Sequence, residues 1–393
     1  MPFTDARPDP IRTNRNNWFA WNTMRNRLPD NIRHTARIHE NLSGHERQAL
    51  LSLADAIATG ESVPEPSWTW HDYEWWAMQY EPHAGVTWHD SPWFFSETYA
   101  FRLILEACRF WEHGRDPFWY TKRAELDTGA AFGPLTVLPA DDDGTTAVDR
   151  NRRLQQALHL ATWGNRADLS FSAGAEPDRD HGTDDLLIIR QDAEAADILQ
   201  ASACVHIVGD NSGAELAGDL VLVRELLRSG VRIVYHVKSH PTYVSDTTVA
   251  DFHYFLQRAS GSSSVPVQRL AAEISEGFSE GRLRLRPDDY WCSTLFLSNM
   301  PERIRRTLSS ADSIIVKGDF NYRRVFQDTI WHTGVSLTDA TGARGLPPFV
   351  LLRSMKSDVV WGLDREQITS LFDEDPTWRI NGKRALIQCL RFA

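Results

Sequence analysis

From residue 186 onward the chain repeats one pattern: a short apolar run, a polar turn, then a stretch with helical spacing. The runs are Leu186-Leu187-Ile188-Ile189, Cys204–Val208, Val231–Val237, Ser313–Val316 and Phe349–Leu352. Short β-branched runs of this kind read as strands buried on both faces. Helical stretches between them imply parallel pairing, because a parallel neighbour is reached by a crossover. The expected fold class is therefore α/β, with a largely parallel sheet covered by helices.

The first part of the chain reads differently. Eleven of the fifteen tryptophans lie at or before Trp163, and β-branched runs are few. Ser91-Pro92-Trp93, with Ser91 as the expected N-cap, opens a helical segment in which Phe94, Phe101, Leu105 and Cys108 keep one face apolar. An aromatic-rich helical part follows, its tryptophans mostly core. The polar stretch 170–185 reads as the connection. The expected organisation is a helical N-terminal domain over 1–180 and an α/β domain over 181–393.

In open α/β sheets ligands bind beyond the carboxyl ends of the strands. Four successive strand ends here deliver Gly209-Asp210-Asn211, Lys238 through Asp246, Lys317-Gly318-Asp319 through Arg323, and Arg353 through Asp358. Asp210, Asn211 and Asp246 together form an all-oxygen set of the kind hard divalent cations prefer. Asp210 or Asp246 taken alone reads more readily as a helix N-cap, and the lysines nearby turn the reading of the set toward a metal site. The helix expected after Asn211 would aim free amides at an anion, with Glu215 on its first turn. Only five basic residues are lysines, and Lys238, Lys317 and Lys356 stand at strand ends. With Arg323, Lys317 and Lys356 are candidates for clamping phosphate oxygens. His236 and His240 read as structural.

Composition narrows the partners. A formal charge of -11 argues against nucleic acid or an anionic membrane as the main partner. No apolar run approaches a membrane span, no secretory h-region opens the chain, and four cysteines stand far apart, so a cytoplasmic location is expected. Dinucleotide, phosphate-loop, zinc-protease and nucleophile-elbow motifs are missing.

The blocks GDNSGAELAGDLVL, HPTYVSDTT, ADSIIVKGDFNYRRV and RSMKSDVVWGL resemble the damage-control phosphatase family. The resemblance is closest to its metal-dependent carbohydrate phosphatases, the acidic-residue-methyltransferase-1-like group. It extends upstream to WFAWNTMRNRLP, SPWFFSETYAFR and WGNRADLS. It implies a helical domain on an α/β/α sandwich and a divalent metal (Mn²⁺, Co²⁺, Ni²⁺ or Mg²⁺) held by Asp210, Asn211 and Asp246. It also implies substrate contacts from Asp319, Phe320, Asn321, Tyr322, Arg323 and Lys356. Phe320 stands where the family carries leucine, and Ser354 where it carries threonine. The implied activity is hydrolysis of phosphate monoesters of sugars, such as fructose phosphates, or of related phosphometabolites. Asn165 and Asp168, just before the connection, are further candidates for reading sugar hydroxyls. Two other functions compete. A carboxyl methyltransferase using S-adenosylmethionine would need a glycine-rich loop after the first strand, and none is present. A repurposed member would act on a specialised phosphorylated substrate.

Overall fold

A computed structural model of the chain describes residues 8–136, 147–164 and 186–392. Asn165, Asp168 and the connection 170–185 lie outside the described residues. Seven strands form one sheet: β1 (Leu187–Arg190), β2 (Cys204–Val208), β3 (Arg232–Lys238), β4 (Leu283–Asp288), β5 (Ser313–Lys317), β6 (Phe349–Ser354) and β7 (Ala385–Leu390). Their order is β1-β7-β6-β5-β2-β3-β4. All neighbours pair parallel except β6 with β7. The α/β architecture with a mostly parallel sheet is thus as the sequence implies, and the helices lie around it.

Strand alternation divides the interior into two cores. Ile314 and Val316 of β5, with Phe349 and Leu351 of β6, face a core shared with Met24, Trp93, Phe101 and Trp378. Ile315, Val350 and Leu352 face the opposite core, made with Leu158, Ala161, Leu216 and Leu220. Central strands buried on both faces explain the unbroken apolar runs. Before β1 the described elements are helices, and they supply side chains to both cores. A buried ion triplet adds to that docking: Lys122 lies 3.0 Å from Asp116 and 2.8 Å from Asp251 on the helix Val249–Ser260. The helix Trp93–Ala107 starts after Pro92 with no side-chain cap, whereas the sequence points to Ser91 as the cap. Ser91 is turned to Thr13 instead.

A histidine pair bridges β2 and β3. Trp291 Nε1 donates to His236 Nδ1 at 3.2 Å, so His236 carries its proton on Nε2 and donates to His206 Nδ1 at 3.1 Å. Burial lowers the His206 pKa to about 4, and it holds His236 well below the ordinary histidine value, with Arg286 adding to both. Folding therefore keeps these rings neutral. Their contribution is complete above about pH 6.5 and is lost as pH falls from there through about 4. The chain should lose on the order of 2–3 kcal/mol from His206 alone between pH 7 and 4.5. Urea midpoints at the two pH values measure it. His206→Gln should show a smaller acid loss than the parent, and an identical loss would contradict the assignment.

Candidate functional site

The strand order reverses between β2 and β5, since the chain runs outward through β3 and β4 before returning to β5. Such a switch point opens a crevice at the carboxyl edge. Asp210 follows β2 there, and Gly318 follows β5. Gly318 has φ +82°, and a Cβ on it would stand 1.8 Å from Asp210 Oδ2. The Asp210 carboxylate occupies the space that a side chain at 318 would fill.

Beyond the sheet edge the turns after β2 and β3 pair with each other. Thr247 N donates to Asp210 O at 2.8 Å, Ser212 N to Ser245 O at 2.7 Å, and Asn211 bridges Asp246. Tyr243 and Val244 take left-handed backbone at φ 47° and 67°. Those conformations are costly for non-glycine residues, most of all for a β-branched one. They sit directly before the pair Ser245-Asp246 that meets Asn211.

Neither aspartate is a helix cap. Gly213 precedes the helix Ala214–Arg228, and Thr248 with Asp251 forms a capping box on the next helix. Asp210 is 6% exposed and Asp246 2%. Burial pushes the Asp210 carboxyl well up, with Glu215 and Asp246 adding their negative charge. Burial also raises Asp246, against the pull of Lys238, whose Nζ is 3.1 Å from Asp246 Oδ2. Asn211 Nδ2 donates to Glu215 Oε2 at 2.9 Å and to Asp210 Oδ2 at 3.2 Å, while Ser245 Oγ donates to Asn211 Oδ1 at 2.6 Å. Two carboxylates thus share one amide, and the charge of Asp246 lies close to them. No group of three or more His, Cys, Asp or Glu among the described residues is set to hold a metal ion. The oxygen set at this floor is Asp210, Asp246 and the Asn211 amide.

These residues floor a cavity of about 680 Å³. The other sequence candidates divide around it. Asp319, Phe320, Arg323 and Lys356 line it; Asn321, Tyr322, Lys317 and Glu215 do not. Asp319 Oδ1 accepts from Arg353 Nε at 2.8 Å, Lys356 N at 3.1 Å and Ser357 Oγ at 3.1 Å. Burial works against its charge, but Arg353 and Arg323 outweigh that and hold its pKa low. Asp319 thereby fixes the turn that carries Lys356. The Lys356 side chain is exposed, and its ammonium has no hydrogen bond or ion pair among the described residues.

Arg323 is not free in this way. It lies 2.7 Å from both Glu97 and Asp328, with its guanidinium 3.6 Å from the Trp93 ring centre. Lys317 turns to the other face of the sheet, where Nζ is 2.8 Å from Asp219 and also donates to Ala161 O. Asn321 ties strand ends together through Gly209 O and Lys317 O. Tyr322 donates to Gln388. Phe320 stacks on Phe94 at 4.8 Å and tilts against Tyr243 at 4.3 Å. The helix N-terminus expected to offer free amides is partly occupied: Glu125 Oε2 accepts from Ala214 N at 3.2 Å.

Sequence reasoning on strand ends missed Trp18, Asn22, Arg27 and Glu97, and on the C-terminal side Thr377, Ile380, Asn381 and Gly382, all of which line the cavity. Trp18, Asn22, Arg27 and Glu97 sit inside the upstream blocks WFAWNTMRNRLP and SPWFFSETYAFR, which were the available signal.

Fold and cavity define an α/β protein with an acidic crevice at its switch point, closed over by helical segments. Residues 21–371 match the model of the damage-control phosphatase ARMT1-like domain. The chain belongs to that family, and the membership supports a phosphatase role. It is 28% identical over 321 residues to the zebrafish (Danio rerio) protein named damage-control phosphatase ARMT1, covering 74% of this chain and 72% of that one. To the human (Homo sapiens) protein of the same name it is 29% identical over 252 residues, covering 59% of this chain and 57% of that one. A crystal structure of a DUF89 family protein from Pyrococcus horikoshii superposes with a TM-score of 0.48 at 15% identity, covering 87% of this chain and 92% of that one.

Proposed function

We propose that the chain is a metal-dependent phosphatase of phosphate monoesters of sugars or related small phosphometabolites. The observation that carries this reading is the uneven charge of the cavity. Asp210 and Asp246 stand at its floor with the Glu215 charge close behind Asp210, while Lys356 waits unpaired among the lining residues. Buried carboxylates in such surplus call for a cation. Asp210, Asp246 and Asn211 would hold Mn²⁺, Co²⁺, Ni²⁺ or Mg²⁺, in a donor set of hard oxygens. In the present amide orientation Asn211 aims Nδ2 at Asp210. Turning the amide over would offer Oδ1 there and leave Nδ2 to Ser245 Oγ, which can accept as well as donate, while Glu215 Oε2 would give up the hydrogen bond it now accepts from Nδ2. When bound, the ion would neutralise charge on the phosphoryl oxygens and polarise them.

The chain's own side chains do the rest. Lys356 binds a phosphoryl oxygen, its turn held by the Asp319 hydrogen bonds. Phe320, Tyr243 and Trp93 exclude water from one wall. A methyltransferase reading gains no support: Gln191 alone separates β1 from the helix Asp192–Gln200, which leaves no glycine-rich loop. The test is a panel of phosphate monoesters assayed for phosphate release with each of the four metals and with chelator. Metal-dependent release from sugar phosphates is expected. Release unaffected by chelator, or no release from any ester, would overturn the reading.

Lys356→Ala should lower kcat/KM for a sugar phosphate by at least about tenfold, the effect of losing one charge-assisted contact. Calorimetric titration with Mn²⁺ should give an affinity within about threefold of the parent, because an ammonium does not ligate a cation. Unchanged kinetics with a lowered melting temperature would instead mark Lys356 as structural.

A further inference from the structure

Trp18 is a large aromatic side chain of the main cavity that the fold leaves unused. Its neighbours are engaged: Phe19 packs edge-on against Trp93 at 5.7 Å, and Trp21 has Arg25 over its ring at 5.2 Å. Trp18 makes no ring contact among the described residues and is 62% exposed. A single exposed aromatic residue ordinarily needs no explanation. This one lines the cavity and is anchored. Asn17 Oδ1 accepts from Ala20 N at 2.9 Å, and Asn17 Nδ2 donates to Asp358 Oδ2 at 2.8 Å, two residues beyond Lys356. The start of the short helix Trp18–Asn22 is therefore tied to the turn that carries the unpaired ammonium. Arg27 lines the same cavity, 5.2 Å over the Phe19 ring, with no hydrogen bond or ion pair among the described residues.

Depth matters as much as composition. Asp210 and Asp246 are almost fully buried at the floor, whereas Trp18 is open to solvent. A volume of about 680 Å³ falls in the range that encloses drug-sized ligands. A phosphate at the floor thus leaves room for an organic part reaching the rim. An indole face and a guanidinium plane suit a π-face, which an open-chain polyol does not have.

We propose that Trp18, assisted by Arg27, is a stacking ledge, and that the site takes phosphate monoesters bearing an aromatic heterocycle, of which a nucleoside 5′-monophosphate is the simplest. This rests on the phosphatase reading above and specifies its substrate class. Adenosine 5′-monophosphate and ribose 5-phosphate share the phosphate and the ribose and differ in the base. The full chain supplied with Mn²⁺ should show kcat/KM at least about tenfold higher for the nucleotide, the factor one stacked base supplies. Trp18→Ala should bring that ratio to within about threefold of one, and Trp18→Phe should keep most of it. A parental ratio at or below one, or a ratio unmoved by Trp18→Ala, would overturn the proposal. If neither ester is hydrolysed with any metal, the phosphatase reading fails separately. Equilibrium dialysis of the nucleotide then decides the ledge. Binding weakened about tenfold by Trp18→Ala supports it, and absent or unchanged binding overturns it.

Discussion

Asp210→Asn is expected to lower phosphate release by at least about a hundredfold while raising the melting temperature of the metal-free chain. The two effects have one cause. The carboxylate is buried beside Glu215 and Asp246, and these neighbours together with burial push its pKa up. Removing the charge relieves a repulsion that folding must otherwise bear. The amide keeps the shape, so packing is undisturbed. The same charge is what a divalent ion would require, and loss of one such electrostatic element costs about 10²–10³ in rate. Activity and thermal unfolding of one preparation measure both arms. A variant that is less stable and still active would show that Asp210 serves the fold.

Gly318→Ala should be nearly as damaging for a different reason. Its φ of +82° already disfavours alanine, and the new Cβ would stand 1.8 Å from Asp210 Oδ2 and 2.2 Å from Cγ. Left-handed backbone at a non-glycine residue costs about 1–2 kcal/mol. The overlap adds to this and can be relieved only by moving the Asp210 carboxylate or the β5 turn. Gly230 is a control with φ +82° and nothing within 4 Å of its Cβ. Gly230→Ala should lose stability of that order and keep its activity, whereas Gly318→Ala should lose about a hundredfold in rate as well. Equal activity in the two variants would show that the Asp210 position is not critical.

The central strands were legible because they are buried on both faces: β2 matches its expected limits, and β3, β5 and β6 match within two residues. β4, Leu-Arg-Leu-Arg-Pro-Asp, escaped notice because an edge strand alternates buried leucine with exposed arginine and presents no apolar run. β7 follows the helix Arg365–Glu374 but returns antiparallel to β6, outside the parallel alternation on which the strands were read. Strand ends identified where chemistry could gather, but not which way each side chain turns. Lys317 ends β5 and points through to Asp219, while Asp319, two residues on, lines the cavity. Arg323 looked like a phosphate clamp until Glu97 and Asp328 took its guanidinium. Those partners lie 226 and five residues away, and the longer contact is a product of docking that no local spacing encodes. Trp18 and Arg27 reach the cavity by the same route.

Hydrolysis is proposed to depend on one divalent ion held by Asp210, Asn211 and Asp246. Chelator-treated protein titrated with Mn²⁺ in the presence of a sugar phosphate tests it most directly, with bound metal and released phosphate followed together. Activity should rise from background to a plateau at one ion per chain, and Asp246→Asn should bind Mn²⁺ weakly and stay at background. Full activity in metal-free protein, or a plateau unaffected by Asp246→Asn, would contradict the account.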